Sequence, residues 1–481
     1  MLALLLGFVL TAAGGDMDYQ QSAADTTRQT SVDSVADRIL HVDRVIIIGN
    51  KVTRNRIIER ELSLKPGDTI RASALQGTIQ WDKNKLYNLR LFNTVAVRVL
   101  ELPNDHMDIL VELTERWYIF PVPIFELSDR NFNEWWNNYN HDFNRINYGL
   151  RLYKNNFRGR NESLRFTAQF GYVRKFDLQY RIPNLDRKQK QGLTFNFDYG
   201  TPRNLAYKTF DHKLVYLESK QVVRTSFGAG IGYSYRKSFF ETHSLNFNYR
   251  EAEVIDTVLQ LNPIYYNNGK TTQKYLALSY SFNSEHRDVV LYPLKGYQFT
   301  FWVSKAGLLP SDDVNQLELN ATYAHHWPLG NKFFLSNFTS AYWSNPQNQP
   351  YNIFSALGYR NQLVRGFENY VVEGPEFALN KTTIKKKIFG KSWTLNSMPI
   401  EQFSYLPLAV YIKAFADFGY VKNYPYYDEK GINQAYSNKL LIGTGGGIDF
   451  VTTYDLVLRI EYTFTQQKPE GAFFFNLKKE F

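Results

Sequence analysis

From residue 117 onward the chain is written in one repeated pattern, with apolar side chains at every second position and polar ones between them. Leu164, Phe166, Ala168, Phe170 and Tyr172 share one face, while Arg165, Thr167 and Gln169 share the other. Leu193, Phe195, Phe197 and Tyr199 alternate in the same way with Thr194, Asn196 and Asp198. Near the end, Leu456, Leu458, Ile460, Tyr462 and Phe464 alternate with Arg459, Glu461 and Thr463. Neighbouring side chains of a strand point to opposite faces, so a period of two predicts strands, and no convincing helix follows Glu115. A soluble sandwich alternates too, but it buries its apolar face and limits exposed aromatics. Here segments of about ten residues set aromatics against charged and hydroxylated side chains, which predicts a membrane all-β fold, apolar to lipid and polar to a wet lumen. Such a sheet must close, because an open edge in hydrocarbon leaves backbone groups unpaired.

Counting segments over 117–481 gives sixteen or seventeen, according to whether 191–217 is one bent strand or two. An even number returns both ends of the barrel to one side, which favours a sixteen-stranded antiparallel transmembrane β-barrel. The chain ends AFFFNLKKEF, with Phe473, Phe475, Leu477 and Phe481 on one face of an amphipathic last strand.

The pattern before residue 117 is different. Residues 41–116 read as a small β-α-α-β-β domain. A strand over HVDRVIII ends at Gly49-Asn50, and Thr53 is placed to cap a helix through Ile57, Ile58 and Leu62. After the break at Pro66-Gly67-Asp68, Leu75, Ile79, Leu86 and Leu89 recur near helical spacing, and two alternating strands follow. A sheet with one face covered by two helices can fold alone, and its free edge can accept an added strand. Residues 1–15 have the length and apolar character of a signal peptide but lack a basic start, which leaves the true start codon open. Residues 16–40 are polar and nearly free of aromatics, as expected of a flexible linker.

Composition narrows the function classes. The 481 residues hold 34 Tyr and 36 Phe but no Cys, so disulfides, thiolate metal sites and cysteine nucleophiles are excluded together. Absence of a run of about 18 apolar residues excludes a transmembrane helix. The net charge of +10 is dispersed, its densest cluster being Lys385, Lys386, Lys387 and Lys391, so no nucleic-acid partner is expected. The chain has no Gly-x-Ser-x-Gly, no His-Glu-x-x-His and no P-loop. His325 and His326 are adjacent and would point to opposite faces of a strand, a poor metal pair. The glycines of GTGGGIDF, 443–450, are expected to ease a strand past a packed loop. No catalytic residue, cofactor or metal is predicted.

Three stretches carry a resemblance to a known family. LRLFNTVAVRV with MDILVELTER resembles the end of a barrel-proximal POTRA domain, HRDVVLYPLKGYQFTF a strand entry, and Val364-Arg365-Gly366-Phe367 a loop-six motif. Together they are similar to the BamA/TamA superfamily, bacterial surface antigens with POTRA domains and a sixteen-stranded outer-membrane barrel. The resemblance implies that loop six folds into the lumen and that Arg365 pairs with an acidic residue on the wall. Phe415, Asp417 and Gly419 of AFADFGY fit that partner motif, with Asp417 as the carboxylate. Arg365 would grip Asp417 through two donors, Gly366 would let the loop approach the wall, and Phe367 would wedge against it.

The resemblance also implies a bacterial outer-membrane location with the POTRA domain in the periplasm, and a role in inserting or translocating other polypeptides. Unfolded outer-membrane or secreted chains, the lipid bilayer and accessory assembly subunits are the implied partners. The single POTRA domain departs from relatives that carry two to five, which leaves accessory docking open. A lateral seam between the first and last strands is expected, marked by Pro121, Pro123, Phe475 and Phe481. Two prolines of one parity withhold donors from the same neighbour; alternatively both lie in a lead-in before pairing starts. A dedicated exporter of one client, a passive channel and a barrel enzyme are the alternative functions.

Overall fold

The computed structural model describes residues 38–127, 143, 146–358, 362–395, 398–452, 454 and 456–478. The expected signal peptide, most of the expected linker and Phe481 lie outside them. The first unit runs β1 (Ile39–Ile48), α1 (Asn55–Glu59), β2 (Thr69–Arg71), α2 (Ala72–Asn88), β3 (Phe92–Glu101) and β4 (His106–Glu115). Its sheet has the order β2-β1-β4-β3, with β1 parallel to β4 and the three-residue β2 antiparallel to β1. Ile57, Ile58, Leu86, Phe92, Met107 and Val111 are its innermost side chains. Thr53 does not cap α1, correcting the sequence expectation. Its backbone N and Oγ1 each donate to Glu115 Oε1 at 2.6 Å. A buried carboxylate needs donors, and Glu115 takes those of the residue that was free to cap the helix.

A sixteen-stranded antiparallel sheet follows. Its strands are β5 (Ile119–Leu127), β6 (Ile146–Phe157), β7 (Glu162–Gly171), β8 (Arg174–Ile182) and β9 (Gln191–Thr201). A separate hairpin, β10 (Asn204–Phe210) and β11 (Lys213–Glu218), intervenes before β12 (Arg224–Arg236) and β13 (Glu241–Val254). After α3 (Asp256–Leu261) come β14 (Thr272–Glu285), β15 (Gly296–Ala306), β16 (Gln316–Gly330) and β17 (Phe333–Asn345). Loop six holds the two-residue strands β18 (Ala356–Leu357) and β19 (Val372–Glu373) and leads to β20 (Glu376–Thr394) and β21 (Tyr405–Lys422). Beyond α4 (Pro425–Lys430), the sheet ends with β22 (Leu440–Thr452), β23 (Val457–Thr465) and β24 (Ala472–Lys478). Residues 191–217 are therefore one barrel strand plus most of a hairpin outside the barrel sheet, and two short helices occur where none was expected.

The two faces differ as the alternation requires. On β12, Ile231, Tyr233 and Tyr235 stand on the exposed outer face, as do Phe195 and Phe197 on β9. The opposite parity is polar and mutually bonded: Arg250 donates to Asp198 at 2.7 Å and Asn196 to Asn248 at 3.1 Å. Among the described residues no helix is long and apolar enough to cross a membrane. Strands with an apolar outer and polar inner face make the crossing instead.

Among the described residues, the first unit touches strand-end turns at one end of the barrel only. Arg54 N donates to Gly159 O at 3.0 Å, Arg60 Nη1 to Gln189 O at 3.2 Å, and Asn93 Nδ2 to Gln402 O at 2.6 Å. Asn88 bonds both Asp288 O and Val290 N. The strongest tie is ionic, with Arg236 at the end of β12 donating to both carboxylate oxygens of Glu61 at 2.6 and 2.7 Å. Burial by itself would raise the pKa of Glu61, but Arg236 and Arg60 outweigh it and hold the carboxyl below its ordinary value.

Loops meet over the opposite mouth. Tyr265, Tyr266, Tyr351, Phe354, Tyr424 and Tyr427 form an aromatic core with Leu205 and Tyr207 of β10, and Phe354 stacks on Tyr424 at 3.8 Å. Glu373 accepts from the hydroxyls of Thr209 and Tyr427 beneath it. Asn433 Nδ2 donates to Thr209 O, and His212 N donates to Asn433 Oδ1, both at 3.0 Å. The β10–β11 hairpin is rooted between the fifth and sixth strands of the sheet and the 423–439 loop between the thirteenth and fourteenth. These roots are half a circumference apart, so the contact spans the mouth.

Candidate functional site

The inner wall near loop six is built by parity on β21. Tyr411, Lys413, Phe415, Asp417 and Gly419 alternate inward and are all buried, while Ile412, Phe418 and Tyr420 are exposed on the outer face. Loop six descends to this wall. The structure brings Arg365 and Asp417 together: Nε donates to Oδ2 at 2.8 Å, Nη2 to Oδ1 at 2.5 Å, and the Arg365 backbone N to Oδ2 at 3.1 Å. Nη2 also donates to Thr383 Oγ1 at 3.0 Å, and the guanidinium lies 3.7 Å over the Phe415 ring. Asp417 is wholly buried and Arg365 is 8% exposed. Two parallel charge-assisted bonds fix the planar fork in direction as well as distance, which a lysine cannot do.

The other motif residues support this contact sterically. Gly366 has φ +92°, a left-handed conformation unfavourable for side-chained residues, and a Cβ there would strike Thr465. Val364 packs into the space beside Gly419, and the carbonyl of Arg365 occupies the space beside Gly443 of β22. Phe367 is buried with Val364, Leu357 and Val372 of its own loop and with Leu379, Val421 and Leu441 of the wall, its ring edge-on to Tyr436.

Four further residues of the site were not singled out from the sequence. Glu461 of β23 lies 3.4 Å from Arg365 Nη1 and 2.7 Å from Lys413 Nζ. Lys413 also reaches Asp449 of β22 at 2.5 Å, and Asp449 accepts from the Tyr292 hydroxyl at 2.9 Å. Tyr292 belongs to the 286–295 turn that Asn88 of α2 holds from the POTRA side. A continuous row of polar contacts thus runs Arg365–Glu461–Lys413–Asp449–Tyr292, from loop six toward the POTRA end of the lumen. Parity could have found Lys413, which lies four residues from Asp417 on the same face. Tyr292 gave no such signal: the HRDVVLYPLKGYQFTF stretch looked like a strand entry, whereas 286–295 is a turn folded inward.

The seam residues occupy the two ends of the sheet. Pro121 and Pro123 lie within the β5–β6 ladder, opposite Leu152 and Leu150, and not in a lead-in before it. Asn155 N donates to Tyr118 O, so the even-numbered residues of β5 exchange bonds with β6 and the odd-numbered ones face away. The donors that Pro121 and Pro123 lack therefore belong to the edge that faces away from β6. Phe473 and Phe475 of β24 are 66% and 70% exposed. Among the described residues, no ladder joins β24 to β5, while every other neighbouring pair in the sheet is laddered.

Among the described residues no group of three His, Asp or Glu side chains is placed to hold a metal ion. His325 stacks on Trp327 at 4.1 Å. The geometry holds loop six against the wall through one buried charged clamp.

A putative outer membrane protein assembly factor of Treponema pallidum (strain Nichols) is 30% identical over 100 residues, which is 21% of this chain and 12% of that relative's length. Of solved structures, BamA from Haemophilus ducreyi lacking POTRA domains 1–3 superposes with a TM-score of 0.51 at 15% identity, covering 91% of this chain and 84% of that one. CdiB from Escherichia coli superposes with a TM-score of 0.53 at 10% identity, covering 91% and 75%. At such identities these two likenesses speak for the fold. The surface antigen variable number repeat, a POTRA family, matches residues 40–116, and the Omp85 superfamily domain matches residues 156–481. The chain belongs to the Omp85 superfamily, as an outer-membrane β-barrel preceded by a POTRA domain.

Proposed function

We propose that this protein inserts other polypeptides into the outer membrane, or passes them across it, without covalent chemistry. The POTRA unit lies in the periplasm, where the edge of its sheet takes up an extended client segment by strand addition. The client then enters the membrane at the seam between β5 and β24. An incoming strand carries unpaired backbone groups that hydrocarbon cannot satisfy, so an exposed barrel edge lowers the cost of entry. Arg365 and Asp417 hold loop six in the lumen as a latch, and its release changes the shape of the wall beside the seam.

The observation that carries this reading is the missing ladder between β24 and β5 among the described residues, on an edge where Pro121 and Pro123 supply no donors. A diffusion pore would favour a fully paired ring, since a weak seam serves solute passage in no way. The test is depletion followed by quantitative proteomics of the outer membrane, repeated in an Arg365→Ala strain. The reading expects many barrel proteins to fall together in both. Loss of one secreted client alone would make the protein an exporter. Unchanged protein levels with altered solute uptake would make it a channel.

A further inference from the structure

A cleft of about 750 Å³ opens between the POTRA unit and the 183–190 and 237–240 turns of the barrel. Its lining is strongly one-signed: eight lysines and arginines and a single acid, Glu59. Two of the cations, Arg60 and Arg236, share the single carboxylate of Glu61 beneath the floor. Lys237 pairs with Glu241 at 3.0 Å. Arg56, Lys65, Arg187, Lys188 and Lys190 have no carboxylate partner among the described residues, and the buried Nε of Arg56 has no hydrogen-bond partner at all. The nearby Asp186 accepts the backbone N–H groups of Lys190 and Gln191 at 2.8 Å, and its charge offsets the cluster only in part.

Such a concentration of like charge around one concave space is costly unless an anion enters it. The position of the cleft indicates which anion. The outer-face row Ile231, Tyr233 and Tyr235 of β12 leads to the rim at Phe239, itself 42% exposed. This places the cleft just beyond the lipid-facing band, at the level of phospholipid headgroups. An acyl chain lying along that row would bring its phosphate to the cations, and clusters of basic residues beside a membrane-spanning segment are suited to anionic headgroups.

We infer that the cleft is a binding site for a phosphate ester, filled by the headgroup of an anionic phospholipid from the POTRA-side leaflet. A bound headgroup would bridge the POTRA unit and the barrel turns, fixing their relative position according to the lipid around them.

The experiment uses the full chain in non-ionic detergent, with native mass spectrometry counting bound dihexanoyl phosphatidylglycerol. Two variants address opposite walls: Arg56→Gln on the POTRA unit, and Arg187→Gln/Lys188→Gln/Lys190→Gln on the turn, whose exposed side chains the fold does not need. Binding is expected to weaken about tenfold or more in the turn variant and by severalfold in Arg56→Gln, with inorganic phosphate competing only at concentrations far above the lipid's. Unchanged lipid binding in both variants overturns the site. Inorganic phosphate binding as tightly as the lipid overturns the lipid assignment in favour of a soluble phosphate. Displacement of the lipid by hexaglutamate at lower concentration than by phosphate assigns the cleft to an acidic polypeptide instead.

Discussion

The backbone carbonyl of Arg365 sits in the space left by the missing side chain of Gly443, so loop six and β22 touch backbone to backbone beside the charged clamp. Gly443→Ala sets a methyl group against that carbonyl and must displace the loop. Overpacking of this kind costs about 1–3 kcal/mol. Faster trypsin cleavage at Arg365 and a lower urea midpoint are expected. Gly200→Ala, whose new Cβ would meet Ser226 Oγ at an ordinary 3.4 Å, should change neither.

Asp417 is buried and accepts from Arg365 three times, so removing either partner strands a charge. Arg365→Ala and Asp417→Ala should each lower unfolding free energy by about 3–5 kcal/mol, and the double variant by clearly less than their sum. Arg365→Lys keeps the charge but loses the fork and should fall between. Urea titration of tryptophan fluorescence in micelles reads all four.

The row from Tyr292 to Arg365 predicts communication along the lumen. Tyr292→Phe removes one hydroxyl donor to Asp449, a loss of about 1 kcal/mol by itself. A double-mutant cycle with Arg365→Ala should leave a coupling term of at least about 0.5 kcal/mol, although the two side chains do not touch. Strict additivity would show that the row transmits nothing.

His212 is fully buried in the cap, where Tyr436 N donates to its Nε2 at 3.0 Å and Val371 O is the acceptor for Nδ1. Those partners require the neutral ring. Burial lowers the pKa, and nearby Lys439 acts in the same direction against Asp211. A lowered folded pKa means the unfolded state binds the proton more readily, so this contribution is complete above the ordinary value of about 6.5 and is lost as pH falls below it. Hydrogen exchange at the Tyr436 amide should accelerate between pH 7 and 5, and His212→Asn should flatten that dependence.

Glu61→Gln leaves Arg236 and Arg60 facing a neutral amide. The POTRA unit should then move more freely against the barrel, visible as broadened electron–electron distance distributions between spin labels on α2 and on the 237–240 turn. Because the folded pKa of Glu61 is depressed, the wild-type tie should persist at neutral pH and weaken only as pH falls below the ordinary carboxylate range.

Strand alternation was legible because it is a local property: each outward Phe or Tyr is set by its own neighbours and the membrane. Arg365 and Asp417 were legible through motif order, not through residue chemistry, which by itself describes an ordinary loop arginine. Features that depend on distant competition escaped. Thr53 resembles a helix cap until Glu115, 62 positions later, claims its donors. The helices α3 and α4 have six residues each, too few for a 3.6-residue period to emerge, and they persist through packing in the aromatic cap. Tyr292 became visible only when a turn, not a strand, carried it into the lumen.

The aromatic cap ties parts of the barrel that are half a circumference apart. The hairpin from one wall and the loop from the other share a single core, so neither can swing aside while its counterpart stays in place. Opening is therefore a threshold event, and small fluctuations of one loop do not turn the barrel into a leak. Whatever parts the two walls must break the packing of Tyr424 and Tyr427 against Leu205 and Tyr207 as one unit.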